Sequence, residues 1–346
     1  MYSESDLESA VAAGAITAAA ADALRGHVAK QRSTVLVDEE SFRLLTGFND
    51  IFVVIAVTLL LVSLNWIVGT VSEGLGSAAV AAASWGLAEF FTRKRRMALP
   101  SIVLLLTFVC GAAGAVMGVV LDLGVAVSDH AVYFVGSAAV GVCAAWLHWR
   151  RFHVPITVAA GAISAICLLV AVLLAINPLL ITQIWWFVFL GGLAVFAFAM
   201  WWDMSDRVRQ TRRSDVAFWL HLAAAPMLAH SVFYQLGVFE GSIGGAKAAI
   251  VVLLYVFLAI VSLAVDRRAL LVSALAYVLY AISSLFETFG AISLNLALTA
   301  LVIGSALLLL SAFWHVARRV VIRALPQSLQ NRLPALDRPA VITKAA

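Results

Sequence analysis

The chain has 346 residues, 63% of them hydrophobic and only 12% charged, with a mean hydropathy of +1.02, whereas an ordinary soluble domain carries about 25% charged residues. That composition excludes a water-soluble globular fold. The formal net charge of +4 does not call for nucleic acid, because nearly all the cations sit at the ends of apolar spans or in the two tails, where orientation and lipid contact account for them.

In chain order, residues 5 to 31 predict two short helices. Leu7 and Val11 give the first an apolar side, Gly14 stops it, and Thr17 caps a second that runs to about Lys30. The pair forms a cytoplasmic helical hairpin, and residues 32 to 47 are a polar linker, so the first unit is 1–47. The acidic start (Glu4, Asp6, Glu8) and the Ala-rich stretch behind it predict no cleavable signal peptide. Phe48 opens the membrane region, with Asn49 or Asp50 placed to cap the first spanning helix.

A helix needs about 20 apolar residues to cross about 30 Å of hydrocarbon. Ten segments meet or approach that length: 48 to 70, 75 to 92, 99 to 121, 130 to 149, 154 to 176, 181 to 202, 215 to 237, 247 to 265, 268 to 286 and 292 to 315. The second is short and rich in Ala and Gly. Charge supports it nevertheless. Basic clusters follow every even-numbered span, at Arg93 to Arg96, Arg150 and Arg151, Arg207 to Arg213, and Arg267 and Arg268, with a fifth at Arg318, Arg319 and Arg323. The loops after odd-numbered spans contribute one cation, Lys247. Cytoplasmic loops carry the Lys and Arg excess, so the alternation predicts an all-α, polytopic transmembrane bundle over 48–315 with ten spans and both termini cytoplasmic.

Trp146, Trp149, Trp201, Trp202 and Trp314 mark the inner span ends, and Trp66, Trp185 and Trp186 the outer ones, as two aromatic belts. The even spacing of the clusters fits a repeated helical hairpin, and equally any tightly looped bundle. The third unit, 316–346, begins as an amphipathic extension that places Arg318, Arg319 and Arg323 among Val, Ile and Leu, and Pro326 ends it.

Ionisable groups at membrane depth are costly and therefore functional candidates. His221 and His230, on either side of Pro226 in the seventh span, are the two candidate ligand-binding residues. Nine residues at about 100° each set them on opposite faces, which excludes a metal pair on a straight helix; the competing reading is a neutral imidazole bonded to a neighbouring helix. Glu89 and Arg93 predict an i,i+4 pair, and Gly114 and Gly118 a small-residue contact. Asp122, Asp129 and His130 are close enough in sequence for a cation, against the simpler reading of a solvated loop. Cys110, Cys143 and Cys167 read as small apolar packing residues without metal or redox spacing. No Gly-rich phosphate loop, nucleophile elbow or paired intramembrane acids are present, so neither an enzyme nor a cofactor is expected.

Gly14, Ile16 and Thr17 in the first hairpin, Asn65-Trp66 at the end of the first span, and Leu325-Pro326 and Leu333-Pro334 in the tail resemble an uncharacterised family of bacterial multi-span membrane proteins, a domain of unknown function with a cytoplasmic helical hairpin. The resemblance covers the first seventy residues and the tail, and it implies the bacterial inner membrane and no activity. The expected function is a non-enzymatic scaffold or sensor with lipids around it and a protein partner at the hairpin. The alternative is a transporter of a small molecule or lipid-like substrate.

Overall fold

A computed structural model of the protein describes residues 7, 10–24, 48–124, 130–207, 209, 211–238, 245–288 and 295–336. It divides into two units, Met1–Arg43 and Leu44–Ala346. In the first, Gly14 takes a left-handed φ of +69°, and the Thr17 Oγ accepts from the Ala20 N–H at 3.1 Å, capping the helical residues 18–24. Residues 7 and 10–12 are helical too, ahead of the Gly14 turn, while residues 25–47, with the end of the second helix and the linker, lie outside the described residues.

The second unit is all-helical among the described residues. Helices α1 (Phe48–Gly69), α2 (Glu73–Ala88), α3 (Ala98–Asp122), α4 (His130–Phe152) and α5 (Ile156–Ile176) are followed by a 3-10 turn, Pro178–Gln183. Then come α6 (Ile184–Ser205), α7 (Arg212–Gln235), α8 (Gly245–Val265), α9 (Ala269–Thr288), α10 (Asn295–Ala312), α11 (Trp314–Ala324) and the short α12 (Gln327–Gln330). α1 to α10 occupy the ten segments read from the sequence. Among the described residues seven helices are long and apolar enough to cross a membrane, or eight if α10 and α11, bent by 77° to one another, count as one span. α2 falls short with 16 residues, because its last turn widens into a π-helical segment, Glu89–Lys94. α1 already contains Asn49 and Asp50, so neither caps it; Asp50 is instead a buried first-turn acid, where its charge suits the helix dipole.

Among the most extensive helix contacts are α2 with α3, α6 with α7, α4 with α5, and α8 with α9, the last matched by α3 with α4. The first four pairs are each joined by a basic turn, and all four turns reverse the same way. Arg96, His153, Arg209 and Asp266 have φ of +53°, +53°, +59° and +60°, a left-handed conformation rare for residues with a Cβ. They recur at intervals of 57, 56 and 57 residues (96 to 153, 153 to 209, 209 to 266). Between hairpins, α7 contacts both α5 and α9. Half of α7's most apolar stretch is buried, against 11 to 28% for the other six long helices, so α7 is the centre of the unit. Elsewhere the outward faces are broadly apolar, with Leu59, Leu60, Trp66 and Ile67 exposed on α1, a surface that suits lipid rather than water.

Small residues allow α2 to lie close to α3. Ser77 and Ala81 on α2 meet Gly111, and Gly74 faces Gly118 so closely that a Cβ on Gly118 would stand 2.4 Å from the Gly74 nitrogen. Without a hydrophobic drive between helices in lipid, such backbone approach is what binds them. At the opposite end from the basic turns, Asp122 of α3 closes the seam. Its carboxylate accepts from the N–H groups of Glu73 (3.0 Å) and Gly74 (3.1 Å) and from the Ser72 hydroxyl at 2.5 Å. Asp122 is therefore occupied as a helix cap rather than offered to a cation, while Asp129 and the His130 side chain lie outside the described residues. The three cysteines are free and exposed on α3, α4 and α5, which corrects their reading as packing residues.

Gly118→Ala is expected to destabilise by about 1–3 kcal/mol through overpacking. Gly114→Ala should stay within about 0.5 kcal/mol, because its methyl would meet only the Ser77 side chain, the Oγ at 3.3 Å and the Cβ at 3.6 Å, and no backbone. Thermal unfolding of the two purified variants measures both, and equal costs would contradict the seam.

Candidate functional site

Five pieces of chain converge at the basic end of α6 to α9, and the side chains they bring together are charged. Asp203 comes from the last turn of α6, where an apolar run ends in Trp201 and Trp202. Its carboxylate is fully buried and accepts from the Arg267 guanidinium at 2.8 Å. The other oxygen lies 2.9 Å from the His221 Nε2 of α7. Arg209, in the α6–α7 turn, stands 3.9 Å from the same carboxylate.

Local backbone explains how Arg267 reaches inward. α8 ends in a tight loop in which the Arg267 N–H donates to the Ser262 carbonyl at 3.0 Å and the Ser262 hydroxyl donates to the Arg267 carbonyl. The left-handed Asp266 makes this reversal; Asp is among the few residues with a Cβ that visit that region routinely. Arg267 also donates to the Ser214 carbonyl at 3.1 Å and lies over the Phe218 ring at 5.8 Å.

Asp266 is the second carboxylate. It accepts from Arg209 at 2.9 Å and from the Trp314 indole N–H at 2.8 Å, and Arg318 of α11 lies 3.5 Å away. Arg209 donates further to the Asp266 and Val265 carbonyls. Arg318 reaches the carbonyls of Pro334 (2.8 Å) and Ala335 (3.3 Å). Arg207 donates to those of Leu333 (2.9 Å) and Gln330 (3.3 Å). The segment after α12 is thereby tied to the same cluster.

Two carboxylates thus meet three guanidiniums and one imidazole, with side-chain exposures of 0 to 9%. Buried ions persist only when paired and hydrogen-bonded, and here each carboxylate has several donors. The arrangement can hold a proton between Asp203 and His221 and can clamp helices; the excess of guanidinium makes it inhospitable to a metal cation. Among the described residues no three His, Cys, Asp or Glu side chains converge as a metal site.

The two histidines singled out in the sequence are not brought together; nine residues of helix set them about 13 Å apart along the axis. Each bonds a neighbouring helix. His221 is buried against Asp203 and edge-on to Phe196 at 5.1 Å, and its Nδ1 has no hydrogen-bond partner among the described residues. His230 bonds the Tyr277 hydroxyl of α9 and stands edge-on to Trp185 at 4.6 Å.

Sequence reasoning missed the rest of the cluster. Arg267 and Arg318 are buried, and Arg209 largely so, as ion-pair partners rather than surface cations, and Trp314 is buried rather than part of an interfacial belt. The local signals were an acid, Asp203, inside the last turn of an apolar span, and the Asp266-Arg267 pair in a short turn. Their pairing across 64 residues has no local signature. A second buried histidine also escaped notice: His148 of α4 sits 3.3 Å from the Thr157 hydroxyl, boxed by Trp85, Phe108 and Phe152. Glu89 does pair with Arg93 at 3.3 Å as its spacing predicts, and in addition receives Arg151 of α4 at 2.6 and 3.0 Å.

Asp266→Asn should cost about 3–5 kcal/mol, since it strands Arg209 and Arg318 in a buried site. The exposed Arg323→Gln should change stability by no more than about 0.5 kcal/mol. Chemical or thermal unfolding in detergent compares the two, and a cost for Asp266→Asn as small as for the control would mean that the cluster is not an interlocked network.

No protein-family model, no curated protein and no solved structure matches the chain.

Proposed function

We propose that this chain is a ten-span protein of the bacterial inner membrane, with both termini cytoplasmic, that works as a non-enzymatic sensor or scaffold. The observation that carries the reading is the buried charge cluster, which links α6, α7, the α8–α9 turn, α11 and the segment 330–335 by direct contacts. A change in the tilt or spacing of the helices in the membrane is then felt by the carboxy-terminal segment through Asp266 and Arg318. The resemblance to the uncharacterised hairpin-bearing family is consistent with this reading, and the amino-terminal hairpin is the natural surface for a protein partner.

The orientation rests on the basic turns. All four lie at one end of the paired helices, and their Lys and Arg assign that end to the cytoplasm. α2 and α9 complete the count of ten. Reporters fused after Gly74, after Arg96 and at the carboxy terminus test this. An outside-only reporter should be active at Gly74 and silent at the other two; activity at Arg96 would overturn the topology. Deleting residues 1–35 should release a co-purifying protein, and an unchanged set of co-purifying proteins would contradict a partner at the hairpin.

Transport of a small or lipid-like molecule is the second reading, favoured by the buried His221 and its unpartnered Nδ1. It predicts that His221→Ala abolishes substrate-dependent uptake or efflux while leaving insertion intact. Unchanged flux across a broad substrate panel would exclude it.

A further inference from the structure

Between α9 and α10 runs a groove of about 120 Å³ whose lining is almost wholly aliphatic, with Leu271 and Val272 on one side and Leu307 and Leu310 on the other. It extends from Arg268, just ahead of α9, to Leu275 on α9, and from Trp314 at the start of α11 back to Leu307 on α10. Seven helical residues make that length about 10 Å. At its basic end the groove is closed by Trp314 and Arg268.

That closure is held in place. The Trp314 indole donates to the buried Asp266, and the Arg268 guanidinium lies over the indole ring at 4.8 Å. The 77° bend between α10 and α11 turns α11 across this end of the groove. α11 buries Trp314, Arg318 and Ile322, one face at i, i+4 and i+8, and leaves Val316, Val320, Arg319 and Arg323 exposed. A helix with such a mixed apolar and basic outer face suits the headgroup boundary.

We propose that this groove binds one acyl chain of an anionic phospholipid, with the lipid phosphate held at the rim by Arg268. Apart from the Ser311 hydroxyl the walls offer no polar side chain between Leu275 and the Trp314 end, so an alkyl chain gains most by lying there. The charge at the basic end has the opposite requirement. A guanidinium presents parallel N–H donors that match phosphate oxygens, and the exposed Arg319, five residues after Trp314, adds positive potential that favours a net-negative headgroup over a zwitterionic one. Basic pockets between helices at the membrane boundary recognise headgroups of this kind. The inference goes beyond the sensor reading and does not depend on which end faces the cytoplasm.

The test uses the full chain in dodecyl maltoside, with bound lipid counted by native mass spectrometry after adding dioleoyl phosphatidylglycerol or dioleoyl phosphatidylcholine. The wild type should retain phosphatidylglycerol about fivefold better, the effect of one cation beside an anionic lipid. Arg268→Gln should abolish that preference while Arg323→Gln keeps it. Val272→Trp, at an exposed position on the groove wall, should displace the bound lipid without touching the charge cluster. Inorganic phosphate alone should leave the melting temperature unchanged. Preference retained in Arg268→Gln, lipid retained in Val272→Trp, or a melting shift with inorganic phosphate equal to that with phosphatidylglycerol would each overturn the proposal.

Discussion

Asp203 is a carboxylate withdrawn wholly from water at the end of an apolar helix, and an isolated ion in that position would be prohibitively costly. Everything around it follows from the need to compensate that charge. Arg267 and His221 take one oxygen each, which fixes the α8–α9 turn and α7 against α6. Arg209 approaches Asp203 and also bonds Asp266, so the second carboxylate is drawn into the same cluster, and Asp266 in turn orders Trp314 and Arg318. One buried acid thereby determines where three helices, a turn and the carboxy-terminal segment meet. Such a cluster gives specificity of arrangement more surely than it gives net stability.

The other half of the bundle is held by different physics. α2 carries too little apolar surface to bind lipid or neighbours strongly, and it compensates with Gly and Ser positions that admit α3 to backbone contact. Glu89 ties its basic end to α4 through Arg151, while Asp122 caps its opposite end. Close approach serves where charge is absent, and charge serves where the helices end. The repeated left-handed reversal at Arg96, His153, Arg209 and Asp266 gives both halves the same hairpin geometry, so the two kinds of contact build on one scaffold.

The fold was legible because its signals are local. Apolar length marks a helix, and an arginine pair after it marks a turn, so α1 to α10 fall on the segments predicted for them. Gly114 and Gly118, Glu89 with Arg93, and Thr17 were equally visible, since each acts within one or two turns of helix or on one face. The centre of the cluster was not legible. Arg267 in sequence is one cation among several in a basic loop, and only the three-dimensional meeting of α6 with the α8–α9 turn reveals that it faces inward. His221 was found because histidine at depth is conspicuous, but its partner was hidden at a span end, where an acid looks ordinary. Arg318 was misplaced for the same reason: the amphipathic pattern identified α11 and did not say that its buried face would carry a cation.

The central claim is that Asp203 and Arg267 are energetically coupled. A double-mutant cycle on Asp203→Asn and Arg267→Gln, read by reversible unfolding of the full chain in detergent, measures that coupling directly. The account predicts a coupling energy of at least about 2 kcal/mol, within the range for contacting residues, with the double variant more stable than the sum of the two single losses allows. Additivity within about 0.5 kcal/mol would contradict it, and the buried cluster would then be a set of neighbouring charges without a common role.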